Sequence, residues 1–342
     1  MRDFIIHDIS IIGKGHIANN LPNQDRTQVK TMNGTTVIAL SDGCGSSKHA
    51  DLGAELTVNA LTDLLIHEFD EIIRLDALKG REKILHFVLN ILEKEAEIKG
   101  FNIKDLNATL LFVAVNQHNQ ALMGRIGDGF IGGVQHGVLG IRSLEKKLTE
   151  VNETIYPSSV NAIHAFDLRR GNVEDFDAFI IMSDGSADSL VDSTVPFEKK
   201  FSKGVAGILD YASNHTVDET NRFLEDYIIK IRDRTHDDCS LALMTVPKLI
   251  IDSIATFKLE KPKEINEEPE SQKDGLKLFK TYIKNALGED SEILPEDLIL
   301  DKIYEKYTHS LDEELKFDSR VKLLVERYFF EVIFNSHEGE DL

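Results

Sequence analysis

Val37-Ile38-Ala39-Leu40-Ser41-Asp42-Gly43-Cys44-Gly45-Ser46-Ser47 runs from apolar, largely β-branched residues into Asp-Gly and then into small and polar ones. It reads as a buried strand that delivers one carboxylate to its tip. The pattern returns at Phe179-Ile180-Ile181-Met182-Ser183-Asp184-Gly185, and more loosely at Met123-Gly124-Arg125-Ile126-Gly127-Asp128-Gly129. His236-Asp237-Asp238-Cys239 followed by Ser240-Leu241-Ala242-Leu243-Met244 is a mirror image, with the acids before the strand. Carboxylates at several strand ends, far apart in sequence, predict one site gathered by a sheet. Clusters of oxygen donors alone suit hard cations such as Mg²⁺ or Mn²⁺.

The surrounding chain supplies the elements for such a sheet. Residues 2–12 read as a first strand, and Gly13 to Arg26 as a loop. Thr27 to Met32 and Thr35 to Ser41 read as paired strands, joined by Asn33-Gly34, a strong two-residue hairpin signal. That hairpin brings Asp25 near Asp42. From His49 the period becomes helical, with Leu52, Leu56, Ala60, Leu61, Leu64 and Leu65 on one face. A second helix is expected within Leu75 to Lys99, capped by Gly100. Short strands follow at Asn107 to Asn116, Gln120 to Gly127, Phe130 to Gln135 and Val138 to Ser143. Residues 150–175 give no clear pattern. Phe176 to Ser183 is a strand, Ala206 to Tyr211 and Val217 to Asp233 are helical, and Ser240 to Val246 is a last strand. This is not regular βαβα alternation, and it predicts α+β with antiparallel sheets and segregated helices.

At 342 residues the chain has room for one large domain and an extra module. Its 42% hydrophobic and 29% charged residues are those of a globular protein. No apolar run approaches a membrane span, and acids stand where a signal peptide would be apolar, so a cytoplasmic location and no membrane partner are expected. A net charge of −20 argues against a nucleic-acid partner. The two cysteines, Cys44 and Cys239, are too few for a disulfide framework or a structural zinc site. They read as small residues at strand ends, or alternatively as an oxidation-sensitive pair. After Pro247 the texture changes. Residues 248–275 are expected to form a linker and 276–342 a helical module. That module carries Val321, Leu324, Val325, Tyr328, Phe329, Val332 and Ile333, too apolar to be left in water. It is expected to pack on itself, on the main domain or on a partner.

Taken together, these motifs resemble the metal-dependent serine/threonine protein phosphatases of type 2C, in a divergent bacterial branch. They occur in the family's order: Asn23-Gln24-Asp25, Ser41-Asp42-Gly43, Asn107-Ala108-Thr109-Leu110-Leu111, Gly127-Asp128-Gly129, Ser183-Asp184-Gly185 and Asp237-Asp238-Cys239-Ser240. The resemblance covers roughly residues 1–247. It implies two packed antiparallel β-sheets flanked by antiparallel α-helices, an αββα sandwich, here with a helical C-terminal extension. It also implies two Mn²⁺ or Mg²⁺ ions, with a third, weaker one. Asp42 would bridge the two ions, the carbonyl of Gly43 would ligate one, and Asp184 and Asp238 would complete the other. Asp25 would hold coordinated water, and Asp128 matches the position that holds a third ion. Of the last two acids, Asp238 is favoured as the ligand because it directly precedes the strand, with Asp237 as a supporting acid.

The activity implied is hydrolysis of phosphoserine and phosphothreonine in proteins by a hydroxide bridging the two metals, opposing a partner kinase in signalling. The chain departs from the family pattern in three places. Gln24 stands where Glu is usual, Asn20 where an Arg grips phosphate, and Cys44 where a His protonates the leaving group. Lys14, His16 and Arg26 are candidates to replace the Arg. These departures keep two other readings open: a phosphoprotein-binding pseudo-phosphatase, and a phosphatase of small metabolites.

Overall fold

The computed structural model describes residues 3–144, 154–193 and 198–258. The module expected over 276–342 and most of the expected linker lie outside the described residues.

Two sheets form the centre. The first contains β2 (Asp25–Met32), β3 (Thr35–Asp42), β4 (Leu110–Asn116), β5 (Gln120–Ile126) and β8 (Asp167–Asn172), antiparallel in that order. The second contains β1 (Ile5–Ile11), β12 (Cys239–Thr245), β9 (Phe176–Met182), β6 (Phe130–Gln135) and β7 (Val138–Leu144), again antiparallel, with β13 (Ser253–Ile254) added in parallel at the edge. A small third sheet joins β10 (Val191–Asp192), β11 (Glu198–Phe201) and β14 (Phe257–Lys258). The helices are α1 (Lys14–Ala18), α2 (Ala50–Ile72), α3 (Ala77–Lys99), α4 (Ala162–Ala165), α5 (Asp184–Leu190), α6 (Lys203–Asn214) and α7 (Val217–Arg232).

The opening stretch explains the layering. β3 is apolar at every step from Val37 to Leu40 because it is covered on both faces. Val37 and Ala39 face one core, with Leu61, Leu64 and Phe69 of α2 and Val88 of α3. Ile38 and Leu40 face the other sheet, among Leu111, Val113, Phe179, Ile181 and Met244. A third core joins the second sheet to α6 and α7 through Ile180, Leu241, Leu243, Ile208, Leu224 and Ile228. The result is four layers, helix–sheet–sheet–helix: the αββα sandwich expected.

Local signals set the register. Asn33 and Gly34 both have positive φ, 55° and 75°, the conformation a two-residue hairpin requires. The hairpin places Asp25 directly opposite Asp42. Gly100 caps α3 in the left-handed region.

Several stretches depart from the sequence reading, among them the expected loop from Gly13 to Arg26, which holds helix α1 and the first residues of β2. Asp167-Leu168-Arg169-Arg170-Gly171-Asn172 is the edge strand β8, although it lacks apolar alternation. An edge strand with charged side chains needs none, and its charges discourage further pairing. Residues 253–258 do not belong to a linker: they pair with β7 and β11, and Leu249 is buried. The folded domain therefore runs past the expected boundary at 247 to at least Lys258.

Candidate metal centre

The acids meet where strands of both sheets end. Asp42 is the last residue of β3, Asp128 lies in the turn between β5 and β6, and Asp184 opens α5 directly after β9. Carboxylate oxygens of these three lie within 4.8 Å of one another. Three segments up to 142 residues apart in the chain thus contribute to one cluster.

Each acid is held by its surroundings. The Asp42 amide donates to Thr109 Oγ1 at 2.9 Å, and the Thr109 amide returns a bond to the Asp42 carbonyl at 2.7 Å. The Ser41 hydroxyl donates to the Thr109 carbonyl. Thr154 Oγ1 donates to Asp128 Oδ2 at 2.8 Å. The Gly185 amide donates to Asp184 Oδ1 at 2.7 Å. Gly43 is required by close approach: a Cβ there would lie 2.8 Å from both Cβ and the carbonyl oxygen of Ala50, at the start of α2. Thr109 and Thr154 were given no role from sequence. A Thr in an apolar strand looks like packing until its hydroxyl is seen beneath a site aspartate.

Asp25 and Asp238 form a deeper layer. Asp25 is 1% exposed and accepts from Ser240 Oγ at 2.7 Å. Asp238 is 2% exposed, and both its oxygens are taken by donors of the chain itself. Gly13 N reaches Oδ1 at 2.5 Å, Gln24 N reaches Oδ2 at 2.6 Å, and His16 Nδ1 lies 2.8 Å from Oδ2. These bonds anchor the segment from Gly13 to Gln24 on Asp238. Asp237 instead stands exposed at the rim. Its charge raises the pKa of both Asp42 and Asp184.

Electrostatically the cluster is strained by its own charge. Burial first, then the charges of Asp25, Asp184, Asp237 and Asp128, hold the Asp42 carboxyl well above the usual carboxylate range. Burial, then Asp128 and Asp237, push Asp184 up to about 6. Asp25 is raised to about 7, chiefly by burial, with the Ser240 hydroxyl opposing and Asp238 adding to it. Such a group of hard oxygen donors fits divalent cations, which would relieve the repulsion. Gln24, whose carbonyl accepts from Gly43 N, keeps its buried side-chain oxygen without a partner among the described residues, which offers a further donor.

The expected replacements for the phosphate-gripping Arg are differently engaged. Asn20 is exposed, with φ 54°. Lys14 Nζ donates to the Asp233 carbonyl, and Arg26 Nη1 to the carbonyls of Asn23 and Asp25 at 2.6 and 2.9 Å. Among the described contacts of these three, His16 is the one that reaches a carboxylate of the acid group, that of Asp238. Of the cysteines, Cys44 Sγ lies 3.1 Å from Ser46 Oγ. Cys239 is fully buried, and burial first, then nearby acids, push its thiol up to about 12, which disfavours the reactive thiolate.

An αββα sandwich with aspartates of both sheets meeting at one end describes a protein phosphatase class. The family model for Protein phosphatase 2C matches residues 12–245. The chain belongs to that family. Among curated protein sequences none matches it significantly. Solved structures share its fold at low identity. A serine/threonine phosphatase of S. agalactiae is 19% identical, with a TM-score of 0.51 over 71% of this chain and 100% of its own. The serine/threonine phosphatase Stp1 from Staphylococcus aureus is 13% identical, with a TM-score of 0.50 over 72% and 95%. A mutant bacterial serine phosphatase is 12% identical, with a TM-score of 0.52 over 72% and 100%.

Proposed function

We propose that this chain is a metal-dependent phosphoprotein phosphatase, hydrolysing phosphoserine and phosphothreonine with Mn²⁺ or Mg²⁺ and opposing a Ser/Thr kinase. The observation that carries the reading is the convergence of Asp42, Asp128 and Asp184 within 4.8 Å. Asp42, the Gly43 carbonyl, Asp184 and Asp128 would hold the ions. For the remaining ligand we place Asp237 in the position first expected of Asp238, because Asp238 spends both oxygens on Gly13, His16 and Gln24.

Bound divalent cations supply charge neutralisation at the phosphoryl oxygens and a lowered pKa for water. The chain's own residues do the positioning. Thr109 and Ser41 fix the β3 tip that carries Asp42. Buried Asp25, held by the Ser240 hydroxyl and directly across the ladder from Asp42, would hold water beside the ions. His16 is oriented by Asp238 through Nδ1.

The test is hydrolysis of a phosphothreonine peptide with Mn²⁺, Mg²⁺ or EDTA, beside Asp42→Asn and Asp184→Asn. Turnover that needs metal and falls to background in both variants is expected. Turnover that survives EDTA or both substitutions, or no turnover by the wild type with either metal, would overturn the reading.

A further inference from the structure

At the end of β6 remote from Asp128, about 20 Å along the strand, the chain turns through His136 and Gly137, with φ 50° and 74°. It returns as β7, bordered on its outer edge by Ser253–Ile254. The Ala255 amide still donates to the Leu139 carbonyl at 2.8 Å. Beyond it the chain leaves β7 and pairs with β11 through Phe257–Lys258. The divergence opens a cavity of about 290 Å³ between β7 and residues 255–257. Val138, Ile141 and Phe257 give it apolar walls, and His136, Arg142 and Thr256 give it polar ones.

Arg142 is the notable member. Its guanidinium lies over Phe176, 5.1 Å from the ring centroid, and its Nε is buried without a hydrogen-bond partner among the described residues. Burial lowers its pKa, and among the described residues no carboxylate acts to raise it. The chain carries 59 acidic residues against 39 Lys and Arg. A partly desolvated cation with no acid beside it among the described residues costs stability that a counter-ion would return. The volume lies near the lower end for small-molecule sites, about 300–1,000 Å³. A planar guanidinium suits carboxylate and phosphate oxygens in a bidentate fork.

We propose that this cavity binds a small organic anion, its carboxylate or phosphate group held by Arg142 and its apolar body lying between Val138 and Phe257. The site is separate from the metal centre and does not depend on the phosphatase reading.

The experiment uses the full chain in EDTA, so that no anion is held through metal. Phenylphosphonate, benzoate and inorganic phosphate are titrated, followed by calorimetry and by amide shifts in a ¹⁵N-labelled sample. One of the two aromatic anions should bind in the millimolar range or tighter and move the amides of 138–142 and 256–257. Which of the two binds better identifies the group as phosphate or carboxylate, and weaker binding of inorganic phosphate shows the apolar walls contributing. Arg142→Gln should weaken binding by at least about tenfold, and Arg142→Lys, which keeps the charge but loses the fork, by less. The proposal is overturned if neither aromatic anion moves these amides at millimolar concentrations. It is equally overturned if the shifts persist undiminished in Arg142→Gln, or, should that variant not fold, if Arg142→Lys binds the anion as tightly as the wild type does.

Discussion

Asp25, the first residue of β2, stands directly across the β-ladder from Asp42, the last residue of β3. The Asn33-Gly34 turn, at the opposite end of the two strands, fixes that register. Two acids brought face to face and buried cannot both ionise cheaply, and both are shifted upward, Asp25 to about 7.

The first prediction concerns pH in metal-free protein. Asp25 and Asp184 have folded pKa values of about 7 and about 6, above the unfolded value of 3.8. Between those limits the folded state binds more protons than the unfolded one, so stability falls as pH rises from about 4 towards 7. Thermal unfolding in EDTA should show the melting temperature dropping across that window, and Asp25→Asn should flatten the drop. Saturating Mn²⁺ should raise the melting temperature more at pH 7.5 than at pH 5, because the ions displace the protons.

The two adjacent acids should separate cleanly by substitution. Asp238→Ala strips partners from Gly13 N, Gln24 N and His16. It should cost about 3 kcal/mol, or roughly 6–12 °C in melting temperature. Asp237→Asn, at the exposed rim, should leave the melting temperature of the metal-free protein within a few degrees and weaken Mn²⁺ binding by calorimetry. Unchanged Mn²⁺ affinity in Asp237→Asn would return the ligand role to Asp238.

Thr109→Val keeps shape but removes the hydroxyl that accepts from the Asp42 amide. Leaving that amide unpaired should cost about 1–3 kcal/mol. Because the bond holds the β3 tip, Mn²⁺ affinity should fall as well. Loss of stability with fully retained Mn²⁺ affinity would make Thr109 a packing residue only.

Gly185 is set against β12. A Cβ there would lie 2.1 Å from the Asp238 carbonyl oxygen, a backbone atom with little room to yield. Gly185→Ala should therefore destabilise the fold by about 1–3 kcal/mol and displace the start of α5, where Asp184 sits. Urea unfolding and Mn²⁺ titration of the same sample read both effects.

How far the sequence reached follows from which forces are local. The hairpin at Asn33-Gly34, the helical periods of α2 and α3, the Gly100 cap and the doubly buried β3 were legible because turn chemistry and apolar periodicity act over a few residues. So were the acids at strand tips, since a sharp change from apolar run to Asp-Gly marks an end. The edge strand β8 was not, because pairing at an edge is decided by the neighbour β5 and not by its own pattern. The strands at 253–258 were read as linker for the same reason.

The sequence by itself determined the sandwich and the presence of aspartates at its strand ends. Only the tertiary structure decided which acids are enclosed and which are left at the rim. Asp237 and Asp238 are adjacent and chemically identical, and no local rule separates them. The backbone amides of Gly13 and Gln24, more than 200 positions away, close on Asp238 and leave Asp237 to the rim. Burial and hydrogen bonding assign a carboxylate its role, and both are properties of what packs around it.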